Sequence, residues 1–369
     1  MKLRYKLSLG FLGAIVIGIV ILAAYISHDA DCTNVAMAQN DSRTMRAVRY
    51  TCYGGPEVLQ HAVIAKPEPA DGEVLVRVRA AAVNPLDWHY LRGKPYIMRP
   101  LGAGIGAPAD PKLGVDFAGV VEAVGAGVTR FKPGDSVFGG RSGAFGEYLV
   151  IPEDRAIAKM PTNVSFAEAA AAPIAAVTAL QAVRDHGEVV PGDRVLINGA
   201  SGGVGSFAVQ IARAFGAEVT GVCSTRNVER VLGLGANHVI DYRHADYTRG
   251  DEPYDVIIDM VGNHSISANR GVLEDDGRLI LVGSAGDGDW IGPLTQPVAA
   301  LIQQPFVPQE VRSMLASLNA ADLETLADLM RSGAVRPSID RHYPLDRVAE
   351  AIAYSETGRA QGKIIIDID

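Results

Sequence analysis

The sequence predicts an α/β protein with a β-rich front domain and a doubly wound, mostly parallel sheet, preceded by one N-terminal transmembrane helix. Forty glycines and alternating apolar runs are typical of α/β architecture. Between residues 194 and 283, strand-like runs alternate with helix-like runs, which is the chain order of a parallel sheet. Ahead of both domains, residues 7–26 form one uncharged apolar stretch.

The apolar stretch at residues 7–26 is predicted to be a single-pass membrane anchor, with residues 1–44 forming the anchor and a tether. Twenty helical residues rise about 30 Å, which matches the hydrocarbon core of a bilayer. A cleaved signal peptide is the alternative, because basic residues precede the stretch and the Ala-Met-Ala run ending at Ala38 resembles a cleavage site. In that case the protein is exported. The positive-inside bias places the rest of the chain outside the cytoplasm.

The front domain is predicted to span residues 45–165. Runs such as EVLVRVRAAAVNPLD show period-two alternation and are separated by Gly- and Pro-containing turns, which predicts short antiparallel strands. The pattern changes where Ser165 and Glu168 have the spacing of a capping box, so we expect an Ala-rich helix to begin there. Strands and helices then alternate. The chain closes with a helix that ends at Gly358 and a last strand, GKIIIDID.

Charge and cysteine content exclude several kinds of function. The net charge of −8 gives no broad positive surface, so no nucleic-acid binding is expected and a small-molecule partner is favoured. Cys32, Cys52 and Cys223 show no CxxC or CxxH spacing. We therefore expect neither a structural zinc site nor a disulfide bond.

The segment VLINGASGGVGSFAVQIARAFG predicts a dinucleotide site. It places Gly199, Gly202 and Gly205 at a strand-to-helix turn, where backbone N–H groups can approach a pyrophosphate. The N-terminus of the following helix then faces the anion, which its dipole favours.

The end of the second strand of this unit indicates which coenzyme is used. Ser224-Thr225-Arg226 stands where NAD sites usually carry an acidic residue. Because Arg226 can pair with a 2′-phosphate, the sequence predicts NADPH. A dinucleotide is a cytosolic cofactor, which conflicts with the membrane side indicated above, and the sequence leaves that side open.

Longer motifs resemble the zinc-independent quinone oxidoreductase branch of the medium-chain dehydrogenase/reductase superfamily, especially its NADP-dependent alcohol dehydrogenase-like members. The resemblance runs from residue 45 to the C-terminus and rests on YGGPEVL, AAAVNPLDWHYLRG, GVDFAGVVEAVGAGVTRFKPGD, GAFGEY, NGASGGVG, VCSTRN, GANHVIDY and GKIIIDI. It implies a GroES-like catalytic domain at residues 45–165, completed by 306–369, and a Rossmann NADP-binding domain at 166–305. It also implies an active-site cleft between the domains and, often, a homodimer.

The resemblance implies a set of coenzyme contacts along the Rossmann domain. These are Ser201, Gly202, Gly203 and Val204 at the pyrophosphate, Ser224 and Arg226 at the 2′-phosphate, Tyr242 beside the adenosine, and Thr178, Val282 and Gly283 at the nicotinamide. One position departs from the pattern: Gln361 stands where near relatives tend to carry an arginine. A C-terminal contact to the coenzyme is therefore not carried over.

Zinc alcohol dehydrogenases of the superfamily take catalytic ligands at three positions that hold other residues here. These positions read VNPLD, Gly114-Val115-Asp116 and Ala172-Pro173-Ile174. They offer neither a thiolate nor an imidazole, so no metal site is expected.

Without a Lewis acid, a carbonyl oxygen that gains charge must be stabilised by hydrogen-bond donors. The predicted catalytic residues are Asn84, His89 and Tyr96, on the loop where the family lines its substrate pocket, with Trp88 as a further polar-tipped candidate. Asn84 is the first choice. The alternative is that Asn84 starts a turn and that the other side chains are structural.

These features together predict a zinc-independent, NADPH-dependent oxidoreductase that transfers hydride to a quinone or an α,β-unsaturated carbonyl compound. One alternative is an NADP-dependent alcohol dehydrogenase or carbonyl reductase. Another is a low-turnover, NADPH-binding, membrane-associated sensor or partner protein.

Overall fold

The computed structural model describes residues 2–39, 41, 43–283, 288–292, 300 and 308–369, with side chains from residue 15 onward. The strands are β1 Thr44–Arg49, β2 Gln60–Ala65, β3 Glu73–Val83, β4 Asp116–Val124, β5 Ser136–Gly140, β6 Tyr148–Pro152, β7 Ile157–Lys159, β8 Arg194–Asn198, β9 Glu218–Cys223, β10 His238–Asp241, β11 Tyr254–Asp259, β12 Leu273–Leu281, β13 Glu310–Ser313, β14 Ile339–Pro344 and β15 Lys363–Asp367. The α-helices are α1 Lys2–Ser27, α2 Pro85–Arg92, α3 Phe166–Ala170, α4 Pro173–Gln181, α5 Gly203–Ala214, α6 Val228–Gly233, α7 Ile266–Arg270, α8 Ala320–Arg331 and α9 Val348–Glu356.

The chain begins with helix α1, which contains the whole apolar stretch at residues 7–26. In the described part of the chain, no helix is both long enough and apolar enough to cross a membrane. The transmembrane helix predicted from the sequence is therefore not supported. The side chains of its first half, up to residue 14, lie outside the described residues.

Residues 28–39, which we call the strap, lie along the front domain instead of forming a free tether. Ala30 donates its backbone N–H to the carbonyl of Gly106 at 2.7 Å. The Thr51 hydroxyl accepts from the Thr33 N–H at 3.0 Å and donates to the Thr33 carbonyl at 2.6 Å. Backbone polar groups need partners wherever a segment is pressed against protein, and these bonds supply them.

A disulfide bond joins Cys32 of the strap to Cys52, with 4.8 Å between the two Cα atoms. This corrects the prediction that the chain has no disulfide. That prediction considered only close spacings, whereas these cysteines are 20 residues apart and meet because the strap runs beside Thr51. Cys223 is a buried free thiol.

The front domain is built on a seven-stranded sheet in the order β14-β15-β3-β4-β5-β7, with β6 also pairing with β3, while β1 and β2 form a separate antiparallel pair. Two of the seven strands come from the end of the chain. β15 pairs antiparallel with β3, and its residues Ile364, Ile365 and Ile366 are buried. The C-terminus therefore completes the front domain, as the family resemblance implies.

Strands β8 to β13 form a second sheet in the order β10-β9-β8-β11-β12-β13, and every neighbouring pair in it is parallel. In this doubly wound arrangement the order of strand addition reverses between β8 and β11, and ligands of such sheets bind outside the carboxyl ends of the strands at that point. The predicted Rossmann sheet is confirmed. Strand β13 belongs to it, although the sequence assigns residues from 306 onward to the front domain; the domain boundaries stay a prediction.

The Ala-rich helices α3 and α4 connect the two sheets. The predicted capping box is present, since the Glu168 carboxylate accepts from the Ser165 N–H at 2.8 Å and the Ser165 hydroxyl accepts from the Glu168 N–H at 3.3 Å. One apolar core contains Ala82 of the front sheet, the alanines of α4 and Ile197 of the Rossmann sheet. Small side chains let these layers approach closely, so the two sheets share one apolar core.

Candidate active site

The turn between β8 and α5 has the geometry of a phosphate-binding loop. Gly199 has φ +88°, in the left-handed region that favours glycine. A Cβ atom on Gly205 would lie 2.1 Å from the Gly199 carbonyl oxygen, so this position also requires glycine. Together they allow the sharp bend with which the chain leaves β8 and enters the helix.

Space remains on the outer side of this turn. Cβ atoms on Gly202 and Gly203 would have no neighbour nearer than 3.4 Å and 3.5 Å, and Ser201 and Val204 are half-buried. The N–H groups in the first turn of α5 have no partner within the helix, as at any helix N-terminus. A concave turn lined by backbone N–H groups fits a pyrophosphate.

The predicted adenosine and 2′-phosphate contacts lie at the carboxyl end of β9. The Ser224 hydroxyl is buried and accepts from Asn227 Nδ2 at 3.2 Å. Arg226 is exposed, and the hydrogen bond described for its guanidinium goes to the Arg359 carbonyl at 3.3 Å. Tyr242 is 57% exposed, with its backbone N–H bonded to the Cys223 carbonyl. These side chains therefore lie along one edge of the sheet.

The predicted nicotinamide contacts come from two separate elements. Thr178 lies in α4, and its hydroxyl donates to the Ile174 carbonyl at 2.7 Å. Val282 and Gly283 follow β12 and donate their N–H groups to the Asp259 carbonyl at 3.0 and 3.1 Å. A Cβ atom on Gly283 would lie 2.0 Å from the Met260 carbonyl oxygen, so only glycine fits there.

A buried polar cluster joins the front domain to the Rossmann entrance. The ammonium of Lys363 donates to Asn84 Oδ1 and to Asp116 Oδ2, the latter at 3.2 Å, and Asn84 Nδ2 donates to the same carboxylate oxygen at 3.0 Å. The other oxygen of Asp116 accepts from the Ile174 N–H at the start of α4, at 2.9 Å. Lys363 and Asp116 have side chains 3% and 0% exposed, so the ion pair is out of water.

Burial dominates the electrostatics of this cluster. It raises the pKa of Asp116, although Lys363 and the hydrogen bond from Asn84 oppose the effect. Burial likewise raises the pKa of Asp87 to about 7. The Asp87 carboxylate accepts from the Asn84 N–H at 2.7 Å, so it serves as a hydrogen-bond acceptor within the local turn.

The three predicted catalytic residues occupy different surroundings. The Asn84 amide is buried and bonded to Lys363 and Asp116. His89 Nδ1 lies 2.9 Å from the Lys94 carbonyl, and burial lowers the pKa of its imidazole, which is therefore neutral near pH 7. In the described part of the chain, no hydrogen bond joins His89 or Tyr96 to Asn84.

Comparison with known proteins identifies the family. A family model described as "Alcohol dehydrogenase GroES-like domain" matches residues 70–162, and one described as "Zinc-binding dehydrogenase" matches residues 234–366. The human protein "Quinone oxidoreductase" is 36% identical over 340 residues, covering 88% of this chain and 98% of that protein. The chain belongs to the quinone oxidoreductase family of medium-chain dehydrogenases/reductases.

Other members of the quinone oxidoreductase family match over the same extent. The "Chloroplast envelope quinone oxidoreductase homolog" of Arabidopsis thaliana is 33% identical over 344 residues, covering 88% of this chain and 99% of that protein. The structure of the Escherichia coli quinone oxidoreductase complexed with NADPH has a TM-score of 0.74 and 27% identity, covering 87% of this chain and 99% of that chain. As a member of this family, the protein is an NAD(P)-dependent oxidoreductase.

Two polar residues of this quinone oxidoreductase fold were missed from the sequence. Lys363 is the first residue of β15, and a lysine directly before the apolar run Ile364–Ile366 is a signal of buried pairing. Asn227 donates to both the Ser201 hydroxyl, at 3.0 Å, and the Ser224 hydroxyl, so it ties the β8–α5 turn to the carboxyl end of β9. Among the described residues, no group of three or more His, Cys, Asp or Glu side chains is placed to hold a metal ion.

Proposed function

We propose that this oxidoreductase works without zinc, prefers NADPH and reduces a quinone or an α,β-unsaturated carbonyl compound. The buried cluster around Lys363 is the observation that carries the proposal. Asn84, Asp116 and the start of α4 lie within the three segments that correspond to the zinc-ligand motifs of the zinc-dependent branch. Here the amide and the carboxylate both accept from the Lys363 ammonium group, and the Ile174 N–H bonds to the other carboxylate oxygen. A fixed positive charge at this point opposes the binding of a second cation.

The residues around the Gly203 turn fit a nicotinamide dinucleotide. The N–H groups at the start of α5 would hold the pyrophosphate, and Arg226 would pair with a 2′-phosphate. Thr178, Val282 and Gly283 would hold the nicotinamide end. When bound, the coenzyme supplies the hydride, so the protein's part is orientation and electrostatics.

Negative charge develops on the substrate oxygen during reduction, so a nearby positive charge would favour the reaction. The Lys363 cluster supports the proposal because it lies next to the turn proposed to bind the coenzyme. The Cδ atom of Lys363 would be 3.5 Å from a Cβ on Gly203, while its ammonium reaches Asn84. The Asn84 amide itself donates to Asp116 Oδ2 at 3.0 Å and to the Ala82 carbonyl at 3.4 Å, so the cluster would favour charge on a substrate oxygen through the positive charge of Lys363. His89 and Tyr96 are the proposed substrate-facing groups of the same loop.

Oxidation of NADPH by the purified full-length protein tests this function. We expect turnover with quinones or enals and the same rate after prolonged chelation. Zinc present in stoichiometric amount, with activity lost on its removal, would contradict the proposal. Turnover restricted to simple ketones or aldehydes would favour the alcohol dehydrogenase alternative, and NADPH binding without turnover would favour a sensor.

Coenzyme choice is tested separately by replacing Arg226→Ala. A charge-assisted bond to a phosphate is worth about 1.5–3 kcal/mol, so kcat/KM with NADPH should fall roughly 10- to 100-fold while the value with NADH stays constant. The matched control is Arg249→Ala, an exposed arginine that pairs with Asp246 instead. A wild-type preference for NADH would rule out the NADPH assignment.

The location of the protein is also part of the proposal: a single-pass N-terminal attachment to a membrane. The proposal rests on the uncharged sequence at residues 7–26 and on the exposure of apolar side chains such as Ile17, Ile19 and Ile21. A cleaved signal peptide is the competing proposal. The intact mass of the native protein distinguishes them, because cleavage after Ala38 would leave Gln39 as the first residue.

A further inference from the structure

The side chain of Arg99 is fully buried but obtains most of its hydrogen bonds from the N-terminal segment. Its side chain is 0% exposed, whereas its partner Asp29 is 52% exposed. Nη2 donates to the Asp29 carboxylate at 2.6 Å, and Nη1 donates to the carbonyls of Ile26 and His28 at 2.9 and 3.1 Å. Only Nε turns inward, to the Gly93 carbonyl at 2.9 Å. A buried guanidinium requires such partners, so the strap completes the surroundings of Arg99.

Two aromatic rings enclose the guanidinium from the inside. Its Cζ atom lies 4.2 Å from the ring centroid of Tyr53 and 4.7 Å from that of Tyr96. The Tyr53 hydroxyl lies within hydrogen-bond distance of the carbonyls of Ala103 and Gly104, at 2.8 and 2.7 Å. Because Arg99 fills the space between the rings, its position limits where the Tyr96 ring can lie.

Tyr96 also contacts the Rossmann domain. Its ring packs edge-on against Trp290 with 5.0 Å between centroids, and its N–H donates to the Asp289 carbonyl at 2.6 Å. Lys94 pairs with the Asp289 carboxylate at 2.7 Å. A continuous row of contacts therefore runs from Asp29 through Arg99 and Tyr96 to Trp290.

The strap end of this row is fixed in place. Immediately after Asp29, the Ala30 N–H bonds to Gly106, and two residues later Cys32 is bonded covalently to Cys52. Asp29 is therefore presented to Arg99 by a segment that is itself tied to the front domain. Asp31, two residues from Asp29, is exposed and has no hydrogen bond or ion pair among the described residues, which makes it a matched control.

We propose that Arg99 is a positioning residue: held by Asp29 of the strap, it fixes Tyr96 in the wall of the substrate pocket and thereby sets which quinones or enones fit. The inference rests on the proposed function for the role of Tyr96. It gives the N-terminal segment a part in specificity in addition to attachment. The KM values of substrates with bulky rings should depend most on the position of the Tyr96 ring.

The test compares Asp29→Ala with Asp31→Ala in the full-length protein. For Asp29→Ala, we expect KM to change at least fivefold for a two-ring naphthoquinone and less for benzoquinone, with kcat and the dissociation constant for NADPH unchanged. Asp31→Ala should match the wild type. Equal KM values for both variants would overturn the proposal, as would a parallel loss of NADPH affinity in Asp29→Ala, because that would indicate general unfolding.

Fluorescence of Trp290 provides a readout that does not depend on turnover. The chain has two tryptophans, so Trp88→Phe leaves Trp290 as the sole indole. In that background, Asp29→Ala should raise quenching of the emission by iodide and Asp31→Ala should not. If the wild type reduces no quinone or enone, the proposed function fails, while the quenching result still decides whether the strap holds Tyr96 against Trp290. Identical quenching in both variants would refute the contact row.

Discussion

Gly203 and Gly205 stand two residues apart in one turn, yet their surroundings predict different effects of substitution. Gly203→Asp should leave the fold intact, because a Cβ there has ordinary contacts, and should abolish NADPH binding by placing a negative charge at the pyrophosphate. Gly205→Ala should lower the free energy of unfolding by several kcal/mol, because its Cβ would lie 2.1 Å from the Gly199 oxygen. Urea denaturation and NADPH titration separate the two effects. Unchanged NADPH affinity in folded Gly203→Asp would remove this turn from the site.

The ion pair of Lys363 and Asp116 predicts strongly non-additive effects. Lys363→Met leaves the Asp116 carboxylate buried without its cation and should cost roughly 3–5 kcal/mol of stability. The double variant Lys363→Met/Asp116→Asn removes both charges and should recover most of that loss. Urea denaturation of the four proteins in this cycle is the measurement. Additive losses would show that the two side chains are not coupled.

Asp87 predicts a pH dependence of stability. Its pKa is about 7 in the fold because of burial, against 3.8 as its ordinary value. The folded state thus binds this proton more tightly than the unfolded chain, so the contribution of Asp87 to stability is present below about pH 4 and is lost as the pH rises through 7. Relative to wild type, Asp87→Asn should gain stability between pH 5 and 8, by at most about 4 kcal/mol. A difference that stays constant with pH would contradict this.

At the residue scale, the sequence predicts the role of a residue well where the role depends on a local motif. It predicts the role poorly where the residue's partners are distant in the chain. The glycines of the β8 turn form the tight strand-to-helix turn that the sequence predicts, because the whole motif lies within a few residues. Lys363 was missed because its partners, Asn84 and Asp116, precede it by 279 and 247 residues. No spacing in the chain shows that β15 pairs with β3.

Among the segments of the chain, the strap differs most from its prediction. The composition of residues 28–39 carries no strand or helix pattern, so a flexible tether was the natural expectation. Its position is set by hydrogen bonds to Thr51, Gly106 and Arg99 and by one disulfide, none of which is made with a neighbouring residue in the chain. Interactions of this kind leave no periodicity in the sequence.

The disulfide between Cys32 and Cys52 should measurably stabilise the protein. Closing a loop of about this size contributes roughly 3 kcal/mol in the chain-entropy description. Cys52→Ser should therefore lower the free energy of unfolding by about that amount and abolish the effect of reductant. Wild-type protein treated with reductant is the matched comparison, and no response of its stability to reductant would show that the bond does not form in solution.

At the scale of the whole molecule, the fold class was predictable because two strong patterns coincide. The alternating strands and helices of β8 to β12 follow the Rossmann order, and the closing strand returns to the front sheet as the family resemblance implies. The assignment of β13 could not be predicted in the same way. It is a short strand whose place is decided only by its parallel partner β12.

The contacts of the N-terminal segment with Arg99 predict the stability of N-terminally truncated chains. The sequence alone predicts that a chain starting at Met45 keeps its turnover, but such a chain would lack Asp29 and leave the buried Arg99 without most of its partners. We now expect it to lose roughly 3–5 kcal/mol of stability. A chain starting at Lys6 keeps the strap and should match the full-length protein. Thermal unfolding of both, in the same detergent, is the measurement; equal melting temperatures would contradict the expectation.

The hydrogen bonds from Arg99 to the end of α1 affect how a lipid-dissolved substrate would reach the enzyme. Helix α1 ends at Ser27, and Arg99 binds the carbonyls of Ile26 and His28 on either side of that end. No slack chain separates the helix from the catalytic domain. If α1 lies in a bilayer, the catalytic domain therefore has a fixed orientation relative to the membrane. The same face of the domain is then always next to the lipid. A quinone dissolved in the lipid would then reach the enzyme by lateral diffusion within the membrane plane.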